Sequence, residues 1–115
     1  MFYEQHKDWI TEQEHTDIIK SVVLADKWSF GQTSDDSRYD LNFPMWTQGF
    51  FKVKDQQFTQ DTPDIIKTIS LRFVAQCPED YVLIRSMACA NTFGLDGDFH
   101  TDWPSPNKSV TGVLY

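Results

Sequence analysis

Each of the three histidines in this 115-residue chain is followed two positions later by an aspartate. An imidazole nitrogen and a carboxylate oxygen suit Fe(II) and similar divalent ions, so each pair could supply two ligands of one metal centre. Residues i and i+2 project from the same face of a β-strand, whereas in an α-helix they point about 200° apart. The element that holds each pair therefore decides whether the pair can bind a metal. The pairs lie in residues 6–8, 15–17 and 100–102.

Helix signals in the N-terminal third argue against metal binding by the pair at residues 15–17. Thr11 and Glu14 form a Thr-x-x-Glu capping box, and an apolar stripe follows at helical spacing, so we predict a helix over residues 11–27. The pair then lies on a solvated helix surface. The pair at residues 6–8 precedes this helix near a terminus, where we expect surface residues and little order.

His100 and Asp102 have the setting that favours a site. In the stretch GLDGDFHTDWP, a Gly-Asp turn at residues 94–98 precedes a predicted strand, FHTDW, which ends before Pro104. In a strand the imidazole and the carboxylate share one face, beside the loops at the strand end. On the residues alone, the pattern is compatible both with a metal site and with a turn-capping Asp102 beside an exposed His100.

A second helix is predicted from about Pro63 or Asp64 to Cys77. Thr62 is a favourable N-cap, Pro63 suits the first helical position, and Pro78 ends the pattern. Its apolar face comprises Ile65, Ile66, Ile69 and Phe73.

Predicted strands complete the fold class. The segment at 45–53 fits either a strand or irregular packing, and the polar stretch at 34–44 is typical of a surface loop. Because helical signals lead and β-structure dominates the end of the chain, we predict one α+β domain over residues 1–115. The strands are expected at residues 27–33, 81–93, 99–103 and 109–115.

Composition restricts the partners and the compartment. The formal net charge of -7 argues against nucleic acid or an anionic membrane as the main partner. The apolar runs are too short to span a bilayer, and the N-terminus lacks the pattern of a signal peptide. The two cysteines, Cys77 and Cys89, lack CxxC spacing. We therefore predict a cytoplasmic protein with reduced thiols.

The stretch RSMACANTFGLDGDFHTDWPSPNKSVTGVLY, residues 85–115, carries a further pattern. A predicted strand leads through a Gly-containing turn to FHTD, and a loop then leads to a segment of the form T-x-x-x-Y. This order resembles the iron-binding region of the Fe(II)/2-oxoglutarate-dependent oxygenases, in the prolyl 4-hydroxylase-like branch. The resemblance implies a double-stranded β-helix, a jelly-roll or cupin-like sheet, with helical support in residues 1–80 and the first core strands in residues 81–115.

The resemblance also implies hydroxylation of a C–H bond, often on a prolyl residue, by a non-haem Fe(II) site with 2-oxoglutarate as cosubstrate. Carried over to this chain, His100 and Asp102 would be the first two iron ligands. Tyr115 matches the position whose hydroxyl commonly reaches the 2-oxoglutarate, and Asn91 falls near a second cosubstrate-facing position. Each has an ordinary alternative, because Tyr115 fits a frayed terminal residue and Asn91 fits a polar group at a strand end.

Members of this family also carry a distal histidine and a basic residue for the far carboxylate of 2-oxoglutarate, both well beyond the tyrosine segment. The chain ends at Tyr115, so we expect the N-terminal portion of such an enzyme, inactive in isolation. Arg72 and Arg85 are the basic residues available in principle. One alternative is a non-catalytic module with a vestigial metal site, which uses an open sheet edge to pair with itself or a partner. Another is a small cupin-like metal-binding protein whose third ligand is a water or His6.

Overall fold

The computed structural model describes residues 4–33, 44–91 and 109–115. In these ranges two α-helices accompany an antiparallel sheet of four strands, which confirms the predicted α+β class. The elements in chain order are helix α1 (Glu12–Ile18), a π-helical turn (Ile19–Val23), strands β1 (Ser29–Thr33), β2 (Pro44–Lys52) and β3 (Gln57–Phe58), helix α2 (Asp64–Gln76) and strand β4 (Arg85–Ala90).

Strand β2 is the centre of the sheet. Strand β4 pairs with residues 46–52 along one edge of β2. Strands β1 and β3 share the other edge, because β1 pairs with residues 44–47 and β3 with residues 51–52. The register against β4 shifts between Gly49 and Phe51, and the intervening residue, Phe50, faces the core. The strand that the sequence left ambiguous is therefore the one that holds the sheet together.

The core lies where the π-helical turn and α2 meet one face of the sheet. Val22, Phe50 and Ile66 are buried and form its centre. Each comes from a different element, so burial of their apolar surface joins the helices to the sheet. The apolar face predicted for α2 is confirmed at Ile66, and partly buried neighbours surround this centre: Ile18, Trp28, Phe58, Ile65, Ile69 and Ala88.

The first helical segment begins as predicted but changes its geometry. The capping box is confirmed, because the Thr11 hydroxyl accepts a hydrogen bond from the Glu14 N–H and the Glu14 carboxylate accepts one from the Thr11 N–H. The prediction of a helix to residue 27 is wrong, since α1 ends at Ile18 and a π-helical turn follows to Val23. The Gln48 side-chain amide donates to the Val22 carbonyl at 2.8 Å, which ties this turn to β2.

Helix α2 begins near the predicted position with a different cap. Pro63 occupies the N-cap, and within the described ranges no side chain caps the helix. The prediction of Thr62 as N-cap is wrong because its hydroxyl is engaged elsewhere. That hydroxyl lies 2.7 Å from the Thr59 hydroxyl and donates to the Phe50 carbonyl at 3.3 Å, so it braces the connection from the sheet into the helix.

The predicted strands have mixed outcomes. The first is confirmed as β1, and the one predicted at 81–93 is realised as the shorter β4. The prediction of a strand at 109–115 is wrong, since these residues adopt no strand conformation. Instead the backbone packs on α2, where a Cβ added to Gly112 would lie 2.7 Å from Cε2 of Phe73. The turn, strand and loop predicted between residues 94 and 107 lie outside the described residues.

Two expectations from composition can be compared with the fold. In the three ranges that the structure describes, neither helix combines the length and the apolar character needed to cross a membrane. Cys77 and Cys89, both of which the structure describes, are not joined in a disulfide.

Candidate metal centre

Strand β4 leads into the segment that carries the candidate iron ligands. On one of its faces, the Ser86 hydroxyl lies 2.9 Å from the Ser70 hydroxyl of α2, and Ala88 packs against the core. Because side chains alternate along a strand, Cys89 belongs to the opposite face. Asn91 directly follows β4 and is exposed.

The sheet face opposite the helices is lined by small and medium-sized side chains. Residues paired directly across antiparallel strands share a face, so Thr47 lies beside Cys89 and Gly49 beside Met87. Thr47 and Met45 are buried on β2. The sheet therefore has one face packed on helices and a second face lined by these smaller side chains. Strand β4 contributes to both faces and ends directly before Asn91.

The predicted site residues are described only in part. His100 and Asp102 lie outside the described residues, so their role as iron ligands stays a prediction. Tyr115 is fully exposed, at 109% of its reference accessibility, and Asn91 is exposed as well. Both side chains can be reached by a small molecule, but no contact joins them, among the described residues, into a shared pocket. Arg85, one of the two basic residues considered, is exposed at the first position of β4.

The other two His-x-Asp pairs have surroundings that match their predicted structural roles. His15 is exposed on α1, and Asp17 accepts a hydrogen bond from the Gln13 side chain at 2.9 Å, one turn earlier on the same helix. Nε2 of His6 lies 2.9 Å from Oε2 of Glu4, and both side chains are exposed. Among the described residues no group of three His, Cys, Asp or Glu side chains could hold a metal ion.

Arg72, the second basic residue considered as a carboxylate anchor, already binds a carboxylate of the chain itself. Its guanidinium donates to both carboxylate oxygens of Glu14, at 3.0 and 2.5 Å, and to the Trp9 carbonyl at 3.2 Å. Hydrogen bonding from Arg72, and next from the Thr11 backbone, lowers the pKa of Glu14 to about 2, while the same pair raises the pKa of Arg72. Arg72 therefore joins the two helices.

A shallow depression beside the core was not indicated by the sequence. Nζ of Lys27 and Oδ2 of Asp61 form an ion pair of 3.2 Å in its lining. Hydrogen bonds from Lys27, and next from Thr59, lower the pKa of the Asp61 carboxyl group. Lys27 and Asp61 are 34 positions apart, so no local pattern could have paired them. The remaining lining residues are Gln48, Gly49, Phe50 and Pro63.

Comparison of the chain with protein-family models, with curated proteins and with solved structures finds no match. The interpretation of the candidate site therefore depends on its own residues and on the fold around them.

Proposed function

We propose that the chain is the N-terminal portion of a non-haem Fe(II)/2-oxoglutarate-dependent dioxygenase of the prolyl 4-hydroxylase-like branch, with His100 and Asp102 as two iron ligands. The observation that carries this proposal is the segment GLDGDFHTD at residues 94–102, followed by T-x-x-x-Y at residues 111–115. This context separates the pair from the other His-Thr-Asp of the chain, at residues 15–17, which lies on a helix.

The arrangement of helices and sheet supports the finer fold that we propose, a double-stranded β-helix. The family resemblance implies helices that support one face of the sheet, while the metal and the cosubstrate would occupy the other face. The described sheet packs the helical elements on one face, through Phe50 of β2. The opposite face, with Thr47 and Cys89, would then be the inner one, and Asn91 lies at the end of a strand that contributes to it.

The donor set of the candidate centre fits Fe(II), because a histidine nitrogen with a carboxylate oxygen belongs to the facial triads that bind this ion. A bound Fe(II) with 2-oxoglutarate would supply the activation of dioxygen for C–H hydroxylation. The chain would hold the metal with a neutral His100 and an ionised Asp102, so binding should weaken in acid. The hydroxyl of Tyr115 and the amide of Asn91 would donate hydrogen bonds to the cosubstrate.

The isolated chain should turn over little or no 2-oxoglutarate. A facial triad needs a third protein ligand, yet His15 lies on α1 and His6 is hydrogen-bonded to Glu4. The far carboxylate of the cosubstrate needs a basic partner, and Arg72 is bound to Glu14. Release of CO2 and succinate from 2-oxoglutarate measures this expectation directly. Turnover at an ordinary enzymatic rate by the purified chain would contradict it.

Thermal unfolding in the presence of Mn(II), a redox-silent substitute for Fe(II), tests the metal site. A metal at a concentration 100-fold above its Kd should stabilise the fold by about 2.7 kcal/mol, or roughly 10 °C in Tm. His100→Ala should abolish this stabilisation. His15→Ala is the matched control, because it changes the same tripeptide on α1 and should leave the stabilisation intact.

Each result of the metal titration decides between the two candidate functions. Equal stabilisation of wild type and His100→Ala would show that any bound metal lies elsewhere, and it would refute the proposed ligands. If Mn(II) stabilises no variant at all, the site is vestigial and the non-catalytic module is favoured.

The second candidate function, a module for self-assembly or partner binding, is favoured by the exposed apolar side chains near the end of the chain. Val110, Val113 and Leu114 are each at least 46% exposed. Exposed apolar side chains that lie close together on a surface promote association with another chain. Sedimentation over a range of concentrations should show reversible association if this function is correct, and a monomer throughout would exclude self-assembly.

A further inference from the structure

Between Glu12 and Asp17, helix α1 is attached to the rest of the molecule by polar contacts. None of the residues from Glu12 to Ile18 is buried. The next turn of the same segment is different, because Val22 is only 3% exposed and packs in the core. The two ends of one continuous helical segment are thus held by different kinds of interaction.

The polar contacts of α1 converge on the C-terminal half of α2. Besides its bidentate pair with Glu14, the guanidinium of Arg72 lies 5.3 Å from the centre of the Trp9 ring, a distance at which a cation attracts an aromatic face. The indole N–H of Trp9 donates to the side-chain carbonyl of Gln76 at 2.9 Å. The segment that precedes α1 is therefore fastened to α2 together with the helix.

The helix geometry changes at the boundary between this polar cluster and the core. The helix changes from α to π geometry between Ile18 and Ile19, and the Leu24 N–H donates to the Ile19 carbonyl at 2.9 Å in the wider turn. Ile18 packs against the core, and Gln48 of β2 holds the Val22 carbonyl. Neither of these contacts involves a residue before Ile18, and the Ser21 hydroxyl, which donates to the Asp17 carbonyl at 2.6 Å, is the side-chain contact that crosses the boundary.

We propose that Trp9, Glu14, Arg72 and Gln76 form a charge-dependent latch, which lets residues 4–17 open from α2 as one unit while the sheet and its core stay folded. Opening breaks the ion pair and the hydrogen bonds around it. It leaves the contact between the π-helical turn, β2 and α2 intact, so it requires less free energy than global unfolding. The latch does not depend on a bound metal and is independent of the proposed function.

Hydrogen exchange followed by mass spectrometry tests the latch with Glu14→Gln. Glutamine at this position keeps the capping hydrogen bond to the Thr11 N–H but removes the charge that faces Arg72. Amides in residues 12–18 should exchange roughly tenfold faster than in wild type, because a charge-assisted pair is replaced by a neutral one. In wild type, amides in α1 should exchange through an opening of lower free energy than amides in β2 and β4, because the latch opens while the core stays folded. Glu12→Gln is the matched control, since this residue is exposed in the same turn of α1, and its rates should equal wild type.

A second variant distinguishes the latch from a general loss of helix stability. Arg72→Lys keeps the positive charge on α2 but loses the planar, bidentate geometry, so it should accelerate the same amides by a smaller factor. If amides in α1 of wild type exchange with the same opening free energy as amides in β2 and β4, opening is global and the proposal is wrong. Exchange in Glu14→Gln that equals that of Glu12→Gln would equally overturn it.

Discussion

The two halves of the first helical segment are attached to the molecule by different forces. Helix α1 is held to α2 by the ion pair of Glu14 with Arg72 and by the hydrogen bonds around it. The π-helical turn is held by Val22, which packs against Phe50 and Ile66. Ionic contacts at a partly exposed site weaken in salt and in acid, whereas burial of apolar surface is largely indifferent to both. Two neighbouring turns of one helix can therefore separate from the rest of the molecule under different conditions of salt and pH.

The largest expected effect is in the core. Phe50→Ala should lower the free energy of unfolding by about 3–5 kcal/mol, because it removes a buried ring and leaves a cavity. Phe50 is 4% exposed, whereas Leu71 on α2 is 56% exposed, so Leu71→Ala should change stability by only about 0.5 kcal/mol. Urea denaturation measures both. Similar losses in the two variants would show that the core is not centred on Phe50.

The segment at 109–115 is attached in a third way, because its backbone closely approaches the Phe73 ring at Gly112. Gly112→Ala should lower the free energy of unfolding by about 1–3 kcal/mol, because the added methyl group would collide with the Phe73 ring. Gly49→Ala is the control, since its methyl group would meet only Cε of Lys52, at 3.7 Å. Thermal unfolding of both variants checks this contact. Equal stability of the two would mean that the segment is not docked on α2 in this way.

A smaller effect is expected at the cap of α1. Thr11→Ala should reduce stability by about 1 kcal/mol, because the Glu14 N–H loses the hydroxyl that accepts its hydrogen bond. Thr16→Ala removes a hydroxyl from the same helix, but that hydroxyl donates to the Glu12 carbonyl and caps nothing. We expect little change in this control. An equally large loss of stability in Thr16→Ala would mean that the effect of Thr11→Ala comes from helix propensity and not from the lost cap.

The smallest effect is expected from acid. The pKa of Glu14 is lowered from 4.5 to about 2 by its bond with Arg72, so its contribution to stability is complete above about pH 4.5 and is lost as the pH falls toward 2. The difference in free energy of unfolding between wild type and Glu14→Gln should be constant near neutrality and should shrink in that window. High salt should reduce it further. An unchanged difference down to pH 2 would refute the assignment.

Local patterns predicted the beginnings of elements better than their ends. The capping box of Thr11 and Glu14 and the apolar face of α2 are encoded within a few residues, and both are confirmed. The end of α1 was not predictable, because the π-helical turn carries a hydrogen bond from Gln48, 26 positions away from Val22. The sequence likewise contained no signal for the two-residue strand β3, which exists by pairing with β2.

The candidate site also has features that neighbouring residues predict and features that only the fold reveals. Neighbouring residues alone distinguish His100 and Asp102 from the other His-Thr-Asp of the chain. They predict a strand around residues 100–102 and a helix around residues 15–17. The faces of the sheet and the position of Asn91 at the end of β4 required the pairing of strands.

The sequence by itself determined the helix starts, the α+β class and the candidate chemistry, because turns, caps and periodicity depend on residues a few positions apart. Only the tertiary structure decided what Arg72 does. The sequence left it available for a cosubstrate carboxylate, whereas the fold places α1 beside α2 and so brings Arg72 to Glu14, 58 positions away. An ion pair between such distant residues forms only once burial of apolar surface has brought their helices together, and no local pattern can encode it.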